Sequence, residues 1–128
     1  MSTPFIFGSP SYNTSEVFYA RLNGDIYKKE QLFDVLYHLL WFPYFGFNWD
    51  ALDECLRDFS WIKEKVVVIA HNGLPKLPEE DLKMYLDVLR YALQNRHPDA
   101  PRLEVVFDEH DRKKVNNLLS QSITQVGC

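Results

Sequence analysis

The sequence predicts an α/β protein, a small parallel sheet with helices packed on it. Three observations lead there. The run Val66–Ala70 reads Val-Val-Val-Ile-Ala, short, β-branched and unbroken, as a strand buried on both faces is. Apolar residues recur at the helical period in four other segments. Strand and helix segments then alternate as β, α, α, β, α, β, α, the order that right-handed crossovers turn into a three-stranded parallel sheet with about four helices.

Residues 1–16 carry Pro, Gly, Ser and Thr around two Phe and read as an irregular N-terminal arm. A single domain is expected over 17–128, with a helical extension after about 108. Val17–Leu22 alternates as a strand, and Asn23-Gly24-Asp25 is a turn signal. From Lys28 to Trp41, Leu32, Phe33, Leu36, Leu39 and Leu40 fall at helical spacing, and Pro43 stops the helix. Asn48 is a helix N-cap with Asp50 in the first turn. Leu52, Cys55, Leu56 and Phe59 then form an apolar side, while Asp50, Asp53, Glu54 and Arg57 form the other. Lys65–His71 is the second strand, closed by Asn72-Gly73. Pro78 at the first helical position, followed by Glu79, Glu80 and Asp81, starts a third helix running to about Asn95. Arg102–Phe107 is the third strand, and Asp111–Ser122 a last helix.

A chain of 128 residues with 46% hydrophobic and 15% aromatic content buries enough surface to fold without disulfides or metal. Its two cysteines, Cys55 and Cys128, suggest no disulfide framework, and Cys55 reads as a buried structural thiol. With no secretory apolar core and no run near membrane-spanning length, a reducing cytoplasm and no membrane contact are expected. The net charge of −4 argues against direct nucleic-acid binding, which runs on Lys and Arg. It favours a basic partner instead. His38, His71, His97 and His110 stand apart without metal-ligand spacing, so neither metal nor cofactor is expected.

The densest stretch is WFPYFGFNWDALDECLRDFSWI, residues 41–62, an aromatic loop running straight into an acidic helix. Together with Arg21-Leu22-Asn23-Gly24-Asp25, the run Pro43-Tyr44-Phe45-Gly46-Phe47-Asn48-Trp49-Asp50-Ala51-Leu52, then Glu54-Cys55-Leu56, resembles the barstar family. The family pattern is a strand ending in Asn-Gly, a helix, then Pro-x-Tyr-aromatic-Gly-x-Asn-x-Asp-Ala-Leu-x-acid-Cys-Leu. The resemblance covers about residues 17–107.

It implies a barstar-like fold and a non-enzymatic inhibitor of a ribonuclease toxin. The second helix and its preceding loop would plug the enzyme's basic active site, with carboxylates standing in for RNA phosphates. Tyr44 would pack on the enzyme, Gly46 would allow the loop's close approach, and Asp50 and Glu54 would be the phosphate-mimicking acids, Glu54 the central one. Phe47, Asn48, Asp53 and Arg57 fall within the same implied surface. Tyr91 does too, although it stands where the best-known member has a further acid, so that charged contact is lost. Glu54 is one methylene longer than the family's usual aspartate, Asp53 replaces an aromatic and Trp49 an aliphatic. These departures suggest the same mode of inhibition on a different enzyme.

Carboxylates on a rigid helix make charge-assisted hydrogen bonds to the Arg, Lys and His of such a site. Among themselves Asp50, Asp53 and Glu54 repel by roughly 0.2–0.5 kcal/mol per helical pair, which a basic partner relieves. Of the aromatics, Phe42, Phe45, Trp49 and Phe59 read as core, and Trp41, Tyr44 and Phe47 as contacts. Two other readings compete. The three acids would hold Mg²⁺ in a phosphate-processing enzyme, but no general base or Lys/Arg cluster accompanies them. The same face would also serve an interaction module whose partner is not a nuclease.

Overall fold

A computed structural model describes residues 4–8, 16–43 and 45–126, with side chains described as far as Ser120. The elements are β1 (Ile6–Phe7), β2 (Val17–Asn23), α1 (Lys29–Leu39), α2 (Trp49–Asp58), β3 (Val66–Asn72), α3 (Glu79–Gln94), β4 (Arg102–Phe107), a 3-10 turn (Glu109–Asp111) and α4 (Arg112–Val126). The sheet runs β1-β4-β3-β2 and every pairing is parallel. Val17 to Asn23 pair with Val66 to Asn72, and Val66 to Ala70 pair with Arg102 to Val106.

The expected parallel α/β fold with four helices is therefore present, with one strand more than the three expected. Ile6 and Phe7, in the segment read as irregular, pair with Val106 and Phe107 at the open edge of β4. Two residues are too short to show an alternating pattern in sequence. What fixes them is tertiary: the Phe5 ring meets Phe107 edge-on at 5.1 Å and buries.

From β2 to β3 to β4 each crossover moves one strand along in the same direction. Right-handed crossovers therefore place the helices on one face. The main core lies between that face and the helices, joining Ala20, Leu22, Val67, Ile69, Leu103, Val105 and Phe107 to Leu36, Leu52, Leu56, Leu86, Leu89 and Leu118. Val68, Ala70 and Val106 form a smaller cluster on the reverse face. The unbroken apolar run in β3 thus feeds two apolar layers, as its composition requires. Two helix starts differ in detail. Pro78 is the N-cap of α3, with ψ 146°, and Glu79 is the first helical residue. The last helix begins only after the 3-10 turn, whose N-cap Asp108 accepts from the His110 N–H at 2.9 Å.

Among the described residues His71 is the buried polar side chain, and it meets the buried hydroxyl of Tyr85. His71 ends the buried part of β3, and its Nδ1–H donates to the Val106 carbonyl at 2.9 Å. Nε2 then accepts from the Tyr85 hydroxyl of α3 at 2.7 Å. A carbonyl can only accept, so the pair of bonds selects this neutral tautomer. The ring stacks on Phe107, centroids 4.2 Å apart. Burial pushes His71 down to about 4 and the Tyr85 phenol above its ordinary range.

Candidate partner-binding site

The loop between α1 and α2 is built by ring packing. Phe42 is buried, and Phe45 sits among Phe33, Phe42 and Phe47 with centroids 5.0–5.7 Å away. Trp49 packs on Phe33 at 4.8 Å. From below, the Trp61 indole N–H donates to the Leu40 carbonyl at 2.9 Å and its ring meets Phe42 edge-on. Phe42, Phe45, Trp49 and Phe59 are thus buried or packed against the core, as expected, while Trp41 and Phe47 are 69% and 47% exposed. Tyr44 lies outside the described residues.

Trp41, Phe47 and Phe59 all adopt left-handed backbone conformations, φ 56°, 52° and 49°. Bulky residues rarely pay that strain, which collects at binding sites. Among the described residues of the loop the left-handed ones are Trp41 and Phe47, and not Gly46. What Gly46 contributes is its missing side chain: a Cβ there would stand 3.0 Å from Asn48 Nδ2, which would have to give way. Asn48 uses both ends of its amide. Its Oδ1 accepts the Ala51 N–H at 2.8 Å, capping α2, and its Nδ2 donates to the Gly46 carbonyl at 3.1 Å. One side chain therefore ties the loop to the helix start.

On α2, Leu52 and Leu56 are buried and Phe59 is the C-cap. Cys55, read as buried, is only half-buried, because it lies on the flank of the apolar stripe. Its thiol is pushed up to about 11, by burial first and then by the charges of Asp58 and Glu54. The opposite side divides in two. Asp50 and Glu54 are exposed and have no hydrogen bond or ion pair among the described residues. Asp53 instead binds Arg57, Oδ2 to Nε 3.1 Å, and its Oδ1 is buried without a partner among the described residues. The Arg57 guanidinium lies 5.7 Å over the Tyr91 ring of α3, and its Nη1 is 3.5 Å from His97 Nε2. Asp53, Arg57 and Tyr91 thus form one bridge between the two helices. Arg57 is neutralised inside an acidic face it would otherwise weaken.

Sequence reading missed the clamp at the far end of α2. Arg96 donates to the Leu56 carbonyl and, at 2.8 Å, to the Pro101 carbonyl, and lies 5.8 Å over the Phe59 ring. A cation at the last carbonyls of a helix meets the negative end of its dipole. Nothing in Gln94-Asn95-Arg96-His97-Pro98 distinguishes Arg96 from an ordinary polar loop residue. Asp58 was also missed, although the row 50, 54, 58 at helical spacing points to it.

Two depressions flank α2. A groove of ≈ 670 Å³ toward α3 is lined by Trp49, Asp50, Asp53, Met84, Asp87 and Tyr91 among others. A smaller pocket of ≈ 330 Å³ lies on the loop side, beside Glu54. Among the described residues no three His, Cys, Asp or Glu side chains converge on one point. No helix among the described residues is long and apolar enough to cross a membrane.

No curated protein and no solved structure matches the chain significantly. A family model described as "Barstar (barnase inhibitor)" matches residues 16–114, a span holding β2 through the start of α4 and therefore the loop, the cap and the four acids of α2. On that match, and on the parallel sheet and helices it runs through, the chain belongs to the barstar family, a family of ribonuclease inhibitors.

Proposed function

We propose that this protein is an immunity protein that binds a cognate ribonuclease toxin and blocks its basic active site with α2 and the loop before it. It would act in the cytoplasm, protecting cells from a toxin of interbacterial competition. One observation carries the reading: Asp50 and Glu54 project unpaired from a helix that is capped by Asn48, clamped by Arg96 and flanked by exposed aromatics.

A ribonuclease site gathers cations to hold RNA and stabilise developing charge. Two carboxylates on one rigid helix face meet those cations with charge-assisted hydrogen bonds and little loss of conformational freedom. Phe47 and Trp41 supply apolar contact beside them, and the neutral Asp53–Arg57 pair keeps the face acidic overall. Tyr44 belongs to the same proposed interface, as do Gly46 and Tyr91, the latter 52% exposed.

The test is a pull-down from cells of the natural source, followed by RNA cleavage by whatever is retained. A basic nuclease that the bait captures and silences supports the proposal. Glu54→Ala should then raise Kd by about 30-fold or more, the range for truncating a hydrogen-bonded interfacial charge, to which the barnase–barstar pair itself contributes. The fold should be unaffected, because the side chain is exposed. A retained partner without nuclease activity would move the function to a non-nuclease interaction module.

A further inference from the structure

The pocket on the loop side of α2 joins Glu54 to residues that the family pattern does not assign to binding, Asp58, Trp61 and His97 among them. It is lined by Pro43, Phe45 and Trp61, which supply apolar walls, by the carboxylates Glu54 and Asp58, and by His97. The walls are held before any ligand arrives. Trp61 is pinned by its bond to the Leu40 carbonyl, and Phe45 by the rings around it. Glu54 and Asp58 stand one helical turn apart and so project on one side. Both charges reach the thiol of Cys55 between them. Asp58 Oδ2 accepts from the Ser60 hydroxyl at 3.1 Å, and His97 Nδ1 is 3.9 Å from its Oδ1. No Lys or Arg lines the pocket.

Aromatic walls with two carboxylates and no Lys or Arg in the lining have a definite complement, the Arg96 guanidinium acting on Asp58 from outside it. An anion is repelled. A purely apolar group satisfies the walls and desolvates the acids without return. A long side chain with an apolar stem and a cationic head satisfies both, the stem against the rings and the head at the carboxylates. The volume admits one such side chain and not a helix.

We propose that this pocket receives a single lysine or arginine side chain of the ribonuclease partner, with its stem between Phe45 and Trp61 and its head between Glu54 and Asp58. Asp58 and Trp61 are then specificity-determining residues, and the pocket selects which ribonucleases fit around the shared acidic plug. The identity of the donor rests on the ribonuclease reading above; the pocket's preference for a basic side chain does not.

Two experiments separate these. The first titrates the free protein with Nα-acetyl-arginine amide, and separately with the neutral isostere Nα-acetyl-citrulline amide, followed by NMR. The arginine probe should shift the Trp61 indole N–H and the Cys55 and Asp58 amides, the citrulline probe should not, and Asp58→Asn should weaken arginine binding. No shift at tens of millimolar, or equal shifts from both probes, overturns the proposal. The second uses the captured ribonuclease. Asp58→Asn should raise Kd by about tenfold, and the loss should vanish when one particular Lys or Arg of the partner is already alanine. If no basic partner residue couples to Asp58 while Glu54→Ala still weakens the complex, the pocket proposal fails and the inhibitor reading stands. If no ribonuclease is retained but the arginine probe binds at Trp61, the inhibitor reading fails and the pocket stands.

Discussion

Mild acid should destabilise this protein through His71. The imidazole is 5% exposed, with both nitrogens bonded in the neutral form, and burial pushes it down to about 4 against an ordinary 6.5. Between those values the unfolded chain binds a proton that the folded chain refuses, so stability rises with pH. The contribution is complete above about pH 6.5 and is lost as pH falls toward 4. Two and a half pH units correspond to about 3 kcal/mol in all, of which about 2 kcal/mol is gone by pH 5. Urea unfolding followed by tryptophan fluorescence at pH 7.5 and pH 5 measures it. With m near 1–3 kcal/mol per molar, the midpoint should drop by about 1 M more in wild type than in His71→Asn, which does not titrate. Carboxylates titrate in both proteins and cancel in the comparison. Tyr85→Phe gives a second handle. It leaves Nε2 without its donor, costs about 1–3 kcal/mol at neutral pH, and moves the histidine's titration upward. Parallel pH profiles for wild type and His71→Asn would refute the reasoning.

Other consequences follow from the site. Asn48→Ala should cost about 1 kcal/mol in thermal or urea unfolding, through the lost cap, and should weaken the complex as well, because the same side chain holds Gly46. Asn48→Asp should keep the cap and recover most of the stability. Arg96→Met should cost about 2 kcal/mol by leaving the Leu56 and Pro101 carbonyls without their charged donor, and amide hydrogen exchange should rise in the last turn of α2. Association with the ribonuclease, followed by stopped flow, should slow steeply as salt is added, and less steeply for Glu54→Ala. A salt-insensitive on-rate would count against electrostatic capture.

The sequence alone determined the fold class, because strand and helix announce themselves in local pattern. Val66–Ala70 is apolar at every position, and Leu52, Leu56 and Phe59 recur at the helical period. The family and the acidic face were equally legible, since the motif around Asn48, Asp50 and Glu54 is contiguous and a helix converts spacing directly into direction. Only the tertiary structure decided how the acids divide. Asp50, Asp53 and Glu54 look alike in sequence, yet Asp53 is taken by Arg57 because Tyr91 arrives over the guanidinium from α3. The two-residue strand β1 depends on a partner 100 positions away, Val106 for Ile6, and the Arg96 clamp on one 40 positions away, Leu56. The loop-side pocket joins residues from 43 to 97. Contacts across such separations leave no period in the chain. They appear once the sheet has brought the segments together, which is why the aromatic loop and the acidic helix could be read from the sequence and their bracing could not.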